Sequence, residues 1–200
     1  MKLVLASDNA HKLTEFRELF RSLNAELLSK KETGFTAEVE ENGATFEENA
    51  FIKAEAVMRA TGLPAIADDS GLCVDALGGE PGVRSARYTG SHSDSDEDRY
   101  RLVLSNLGDR KDRSARFVCA LCCVFPDGTV LRARGECEGE ILFAPQGDNG
   151  FGYDPIFRPA GYDRSMAELT MEEKNAISHR GRAFRELLRK LKDGEYDADQ

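Results

Sequence analysis

Apolar positions in this chain recur first at one spacing and then at another, and the changes predict its elements. Lys2 to Ala6 reads as a short strand. Ser7-Asp8-Asn9 then supplies turn and N-cap residue types, and Leu13, Phe16, Leu19, Phe20 and Leu23 follow at helical spacing. Ala25 to Ser29 suggests a second strand. The acidic segment Glu38 to Gly43 leads into a helix from Thr45 to Thr61, with Phe46, Ala50, Lys53, Ala54 and Val57 along one side. Leu63 to Ala67 predicts a short buried strand opened by a proline, with Asp68, Asp69, Ser70 and Gly71 placed where it emerges at an edge. Leu77 to Gly82 is rich in glycine and proline and predicts a tight connector; Ser91 to Asp98 predicts a polar loop and Arg99 to Leu107 a helix. Arg116 to Phe125 and Thr129 to Glu138 form a hairpin pattern around Pro126-Asp127-Gly128. A Gly-rich loop, Gly147 to Asp154, precedes one long helix, Met171 to Leu191, whose buried face carries Ile177, Phe184, Leu187, Leu188 and Leu191. Strands and helices alternate, but the hairpin breaks a purely parallel scheme, so the expected class is α/β with a mixed sheet.

Composition narrows the function. The 200 residues suit one compact domain or two lobes sharing a core. Lys and Arg number 27 against 36 Asp and Glu, a net charge of −9, which argues against a general nucleic-acid binder. A polyanion can still be bound where a few cations converge. Cys119-x-x-Cys122-Cys123 hints at zinc but lies within an apolar run, Phe117 to Phe125, that reads as a buried strand of free thiols; a reducing cytoplasm is expected. Met1 to Ala6 reads as a strand rather than a secretory leader, and no stretch approaches membrane-spanning length. The acidic segment from Asp193 to Gln200 is nearly devoid of apolar residues and is expected to be a flexible tail.

The candidate chemistry begins with Asp68 and Asp69. Adjacent acids at a strand end repel and lose hydration, so they call for a partner, commonly a cation such as Mg²⁺, and that points to phosphate chemistry; a solvated Asp-Asp turn is the plainer alternative. Ser7-Asp8-Asn9-Ala10-His11-Lys12 at a strand-to-helix junction could hold phosphates through amides and Lys12, although it lacks the glycines of a P-loop and also fits an ordinary helix start. Lys53 stands on an Ala-rich helix, as a snorkelling surface lysine also could. Glu38, Glu40 and Glu41 could share a metal with Asp69, or form a solvated acidic loop. Phe151-Gly152-Tyr153-Asp154 offers aromatics for stacking a base and an acid for its edge, or a turn anchored by buried aromatics. Lys174 could reach a phosphate, while His179 and Arg180 could donate to a base carbonyl.

Taken in order, these motifs carry more. Ser7-x-Asn9-x-x-Lys12, Thr45-Phe46-x-Glu48-Asn49-Ala50, Ala67 to Gly71, Leu77-Gly78-Gly79-x-Pro81-Gly82-x-x-Ser85-Ala86-Arg87-Tyr88, Gly150 to Pro155, Ala167-Glu168-Leu169 and Glu173 to Arg180 closely resemble the inosine/xanthosine triphosphate pyrophosphatase family, over roughly Leu3 to Leu191. The resemblance implies a single domain over residues 1–192 with two lobes, an elongated central mixed sheet, a nucleotide-binding cleft between the lobes, and a homodimer. It implies Mg²⁺-dependent hydrolysis of ITP, dITP or XTP to the monophosphate and pyrophosphate, a house-cleaning activity on the nucleotide pool. Site by site, Ser7 to Lys12 match the phosphate loop, and Lys53 and Lys174 match phosphate contacts. Asp69 matches the catalytic acid–base and metal ligand, Glu40 the second metal-associated carboxylate, and Ser70 a substrate contact. Phe151 to Asp154 with His179 and Arg180 match the base pocket. Asp8 stands where the family often has Gly and Ser7 where it often has Thr. A pyrophosphatase preferring pyrimidine or modified nucleotides, and a nucleotide-binding regulator without turnover, are the rival expectations.

Overall fold

A computed structural model describes residues 2–20, 26–91 and 93–193. Leu23, Ala25 and the tail beyond Asp193 therefore lie outside the described residues. The elements follow the predicted order with one strand added, β6, which the sequence pattern does not predict: β1 (Lys2–Leu5), α1 (Ala10–Phe20), β2 (Glu26–Ser29), α2 (Phe46–Thr61), β3 (Ala65–Val74), α3 (Asp96–Leu107), β4 (Ser114–Val124), β5 (Val130–Ile141), β6 (Phe157–Pro159), α4 (Met171–Ile177) and α5 (His179–Asp193). The strands form a six-stranded sheet in the order β2-β1-β3-β4-β5-β6. It is mixed, as expected: β1 is parallel to both β2 and β3, whereas β5 and β6 are antiparallel.

Local chemistry accounts for most boundaries. Thr45 caps α2 and Glu48 reaches back to it, and Gly62 closes the helix in the left-handed region. Ser95 and Asp98 form the same box on α3, so that helix begins three residues earlier than its apolar positions suggest. The β4–β5 hairpin turns where Asp127 accepts from the Thr129 amide and Phe125 accepts from Gly128.

Two expectations need correction. β3 does not end before the acids but runs through them to Val74. The single last helix is two: Ser178 adopts an extended backbone (φ −64°, ψ 155°) between α4 and α5. Ile177 and the α5 apolar face consequently serve different cores. The chain divides into two compact units, 1–69 with 119–135 and 181–200, and 70–118 with 136–180. In the first, Phe16, Phe20, Phe184 and Leu187 pack on Leu3, Leu5, Ile66, Leu121 and Leu131. In the second, Leu72, Val103, Leu107, Phe117, Ile156 and Met166 form the core against which Ile177 packs. Cys119, Cys122, Cys123 and Cys137 are free thiols buried in strands, as the apolar run predicts, and burial raises the Cys123 thiol far above its ordinary range.

Candidate active site

In the first unit the strand order decides what each acid meets. The chain leaves β1 toward β2 and returns past β1 to β3, so two right-handed crossovers put α1 and α2 on opposite faces of the sheet. Neighbouring strand residues also point to opposite faces. Asp68 therefore turns toward α1, where Lys12 Nζ lies 3.0 Å from its Oδ2. Asp69 turns toward α2: Asn49 donates to its Oδ2 at 3.1 Å and Lys53 to its Oδ1 at 3.5 Å. The two carboxylates thus have different nearest ammonium groups, although each also feels the other's lysine. β1 pairs with β3 only through Val4 and Leu5, opposite Ala65 and Ile66. The acids stand just beyond the end of β1.

Both carboxylates are buried. Burial raises the Asp69 carboxyl above its ordinary pKa, with the Glu41 charge adding to the rise and Lys53, Lys12 and the Asn49 hydrogen bond opposing it. Burial works against the charge on Lys53, but Asp69, Asp68 and Glu41 together hold its pKa above the usual lysine value. Lys53 also donates to Glu41 Oε2 at 3.0 Å. Of the acidic pair before α2 it is thus Glu41 that joins the cluster, while Glu40 stands exposed. Asn49 had no assigned role in the sequence beyond its motif, yet it ties the cluster together: its Oδ1 accepts from the Gly43 amide at 2.9 Å while its amide holds Asp69. Its place one turn before Lys53 on the same helical face is the signal that could have found it.

The expected phosphate loop lies between β1 and α1. Asn9 Oδ1 caps α1 by accepting from the His11 and Lys12 amides, at 2.9 and 3.2 Å, and Ser7 Oγ accepts from the Asn9 amide. Asp8 turns to Lys30, whose Nζ lies 2.5 Å from Oδ2. The loop is thus held by its own side chains, with Lys12 turned to Asp68 and Asp8 to Lys30.

In the second unit Arg180 donates to the Ser70 hydroxyl at 3.0 Å, fixing the residue that follows Asp69. Lys174 and Asp154 form a buried pair at 2.8 Å, their side chains 6% and 5% exposed. Lys174, expected among phosphate contacts, stands 4.9 Å from the Phe151 ring centre, with Arg180 at 5.6 Å. The two aromatics part company. Phe151 is half-buried beneath these two cations, whereas Tyr153 is buried and donates its hydroxyl to the Ser85 carbonyl at 2.8 Å. Two carboxylates pin the loop: Asp154 accepts from the Phe151 amide, and Asp96, which the sequence did not single out, accepts from the Gly152 amide at 2.6 Å. His179 is buried and stacks on Phe117 at 4.8 Å. Gly71 is required by close approach, because a Cβ there would strike the Gly82 carbonyl and the Ser85 side chain.

Among the described residues no group of three or more His, Cys, Asp or Glu forms a ready-made metal cage. Mg²⁺ needs less, commonly one or two carboxylates with phosphate oxygens and water completing the shell. Asp69 and Glu41, which converge on the one ammonium of Lys53, supply that donor set, so the residues fit the ion.

The Ham1 family model matches residues 3–190. A dITP/XTP pyrophosphatase of Streptomyces avermitilis is 50% identical over 191 residues, covering 94% of this chain and 95% of its own. One of Bacillus anthracis is 48% identical over 194 residues, covering 95% and 96%. Among solved structures, a HAM1 protein from Coxiella burnetii superimposes with a TM-score of 0.88 at 45% identity, over 96% of this chain and 99% of that one. The Staphylococcus aureus Ham1 protein does so with 0.87 at 42%, over 98% and 100%.

Proposed function

We propose that this chain, which belongs to the Ham1 family, hydrolyses ITP, dITP and XTP to the monophosphate and pyrophosphate and so removes non-standard purine nucleotides from the pool. The observation that carries this reading is Asp69, a buried carboxylate of raised proton affinity held between Asn49 and Lys53. Such a group is suited to take the proton of the water that attacks the α-phosphorus. Asn49 fixes one carboxylate oxygen and leaves the other beside Lys53. Lys53 and Lys12 meet the negative charge that grows as pyrophosphate leaves, and the Ser7 to Lys12 loop takes the outer phosphates. Asp69 and Glu41 would hold a Mg²⁺ ion, which supplies charge neutralisation at the phosphate oxygens when bound.

For the base, the half-buried Phe151 ring would offer stacking, and Arg180 and His179 would offer donors for a 6-oxo group. Adenine would set its 6-amino donors against them, and a site built to donate rejects such an analogue strongly. Asp154 and Lys174, already paired, keep this platform in place. The reading extends to a homodimer acting in the cytoplasm on a small-molecule nucleotide, with no nucleic-acid or membrane partner. The net charge of −9 and the free thiols support that setting.

One substrate panel tests the proposal: ITP, dITP, XTP, dTTP and UTP with Mg²⁺, with products resolved. Monophosphate plus pyrophosphate from the 6-oxo purines is expected, and loss of turnover on chelation. Intact ITP, or diphosphate plus phosphate, overturns it.

A further inference from the structure

β1 and β2 are parallel neighbours in the register Leu5 opposite Ser29, so the chain leaves both strands at the same end of the sheet. Lys30 comes one residue after β2 and Asp8 three after β1. Their side chains meet at 2.5 Å between Nζ and Oδ2, with the Lys30 side chain buried at 9% exposure and that of Asp8 50% exposed. Lys30 is seated from several directions. Its ammonium also donates to the Ala37 carbonyl at 3.4 Å and lies 5.7 Å from the Phe35 ring centre. Its own carbonyl accepts from the Thr33 amide and hydroxyl and from the Phe35 amide. The ammonium is therefore delivered to Asp8 by a fixed turn rather than by a mobile surface chain.

Asp8 places a carboxylate inside the loop read above as the phosphate loop. Lys12 in the same loop is engaged by Asp68. Uncompensated, the Asp8 charge would oppose a triphosphate carrying several negative charges of its own. We propose that Lys30 is a positioning residue for nucleotide binding: it neutralises Asp8 and holds it away from the phosphates, so that the loop accepts a polyanion. Lys30 acts through Asp8 and has no part in the chemical step. This inference rests on the phosphate-loop reading of Ser7 to Lys12.

The test is a mutant cycle read by steady-state ITP hydrolysis and, separately, by calorimetric binding of inorganic triphosphate with Mg²⁺. Lys30→Met is expected to raise KM for ITP and the triphosphate Kd roughly tenfold while kcat changes less than about threefold, as loss of a partly buried charge partner predicts. Lys30→Arg should keep parental values. Asp8→Asn combined with Lys30→Met should restore affinity, which a purely structural role for Lys30 would not produce, and a thermal melt of each variant separates folding from binding. Parental KM and Kd in Lys30→Met, or failure of the double variant to recover, would overturn the inference. If the parent binds triphosphate but leaves ITP intact, the proposed activity fails while the binding arm still decides Lys30. A parent that binds no triphosphate rejects the phosphate-loop role and the inference with it.

Discussion

Lys12 holds its ammonium 3.0 Å from Asp68, and the very next residue, Asp69, answers to a different lysine on a different helix. Two adjacent acids therefore have separable roles. Asp69→Asn is expected to lower kcat for ITP by about 10²- to 10⁴-fold, the usual worth of a general base. Asp68→Asn, which leaves Lys53, Asn49 and Asp69 in place, should cost less. Pyrophosphate release measures both, and turnover of Asp69→Asn within tenfold of the parent would reject the assignment.

The same residue sets a pH dependence of stability. Burial raises the Asp69 pKa above 3.8, so the folded protein binds this proton more tightly than the unfolded chain does. Stability present below the ordinary value is lost as pH rises through the raised one. For Lys53, raised above 10.5, the contribution is full below that value and is lost only at higher pH. Urea midpoints of metal-free protein from about pH 4 to pH 7 should carry a falling component that Asp69→Asn removes.

Phe151 and Tyr153 should respond in opposite ways. Phe151→Ala removes the ring proposed to stack on the base and should cost about 1–3 kcal/mol in kcat/KM for ITP. Tyr153→Phe removes a buried hydroxyl that binds the Ser85 carbonyl, so it should cost roughly 1 kcal/mol of stability with kcat/KM nearly parental. Kinetics paired with denaturant melts would reveal the reverse pattern if the assignment were wrong.

Lys174→Met strands Asp154 in the interior. Breaking a buried pair costs about 3–5 kcal/mol, and Lys174→Met with Asp154→Asn should recover much of it. Equilibrium unfolding of the three variants is the measurement, and additivity between the two substitutions would contradict the pairing.

Gly71→Ala should destabilise by about 2–3 kcal/mol, since its Cβ would strike the Gly82 carbonyl and Ser85, which are held by the Leu72 amide and by each other. Gly62→Ala makes a useful comparison, because that site is strained only by its positive φ and has open space around it.

What could be read from residues alone was whatever is decided within a few positions of chain. The period of apolar residues named most strands and helices, Thr45 announced a helix start, and the serial motifs pointed to the family and to Asp69, Lys53, Phe151 and Arg180. Tertiary structure alone chose among partners. That Asp68 meets Lys12 while Asp69 meets Lys53, that Glu41 joins the cluster and Glu40 does not, and that Lys174 sits beside Asp154 all depend on strand order and helix placement. So does the reach of β3 through its two acids, a charged stretch kept in the sheet because a lysine waits on each face. The physical reason is range: caps and periodicity act over one or two turns, whereas a buried charge is satisfied by whichever opposite charge the packed fold brings within about 4 Å of it.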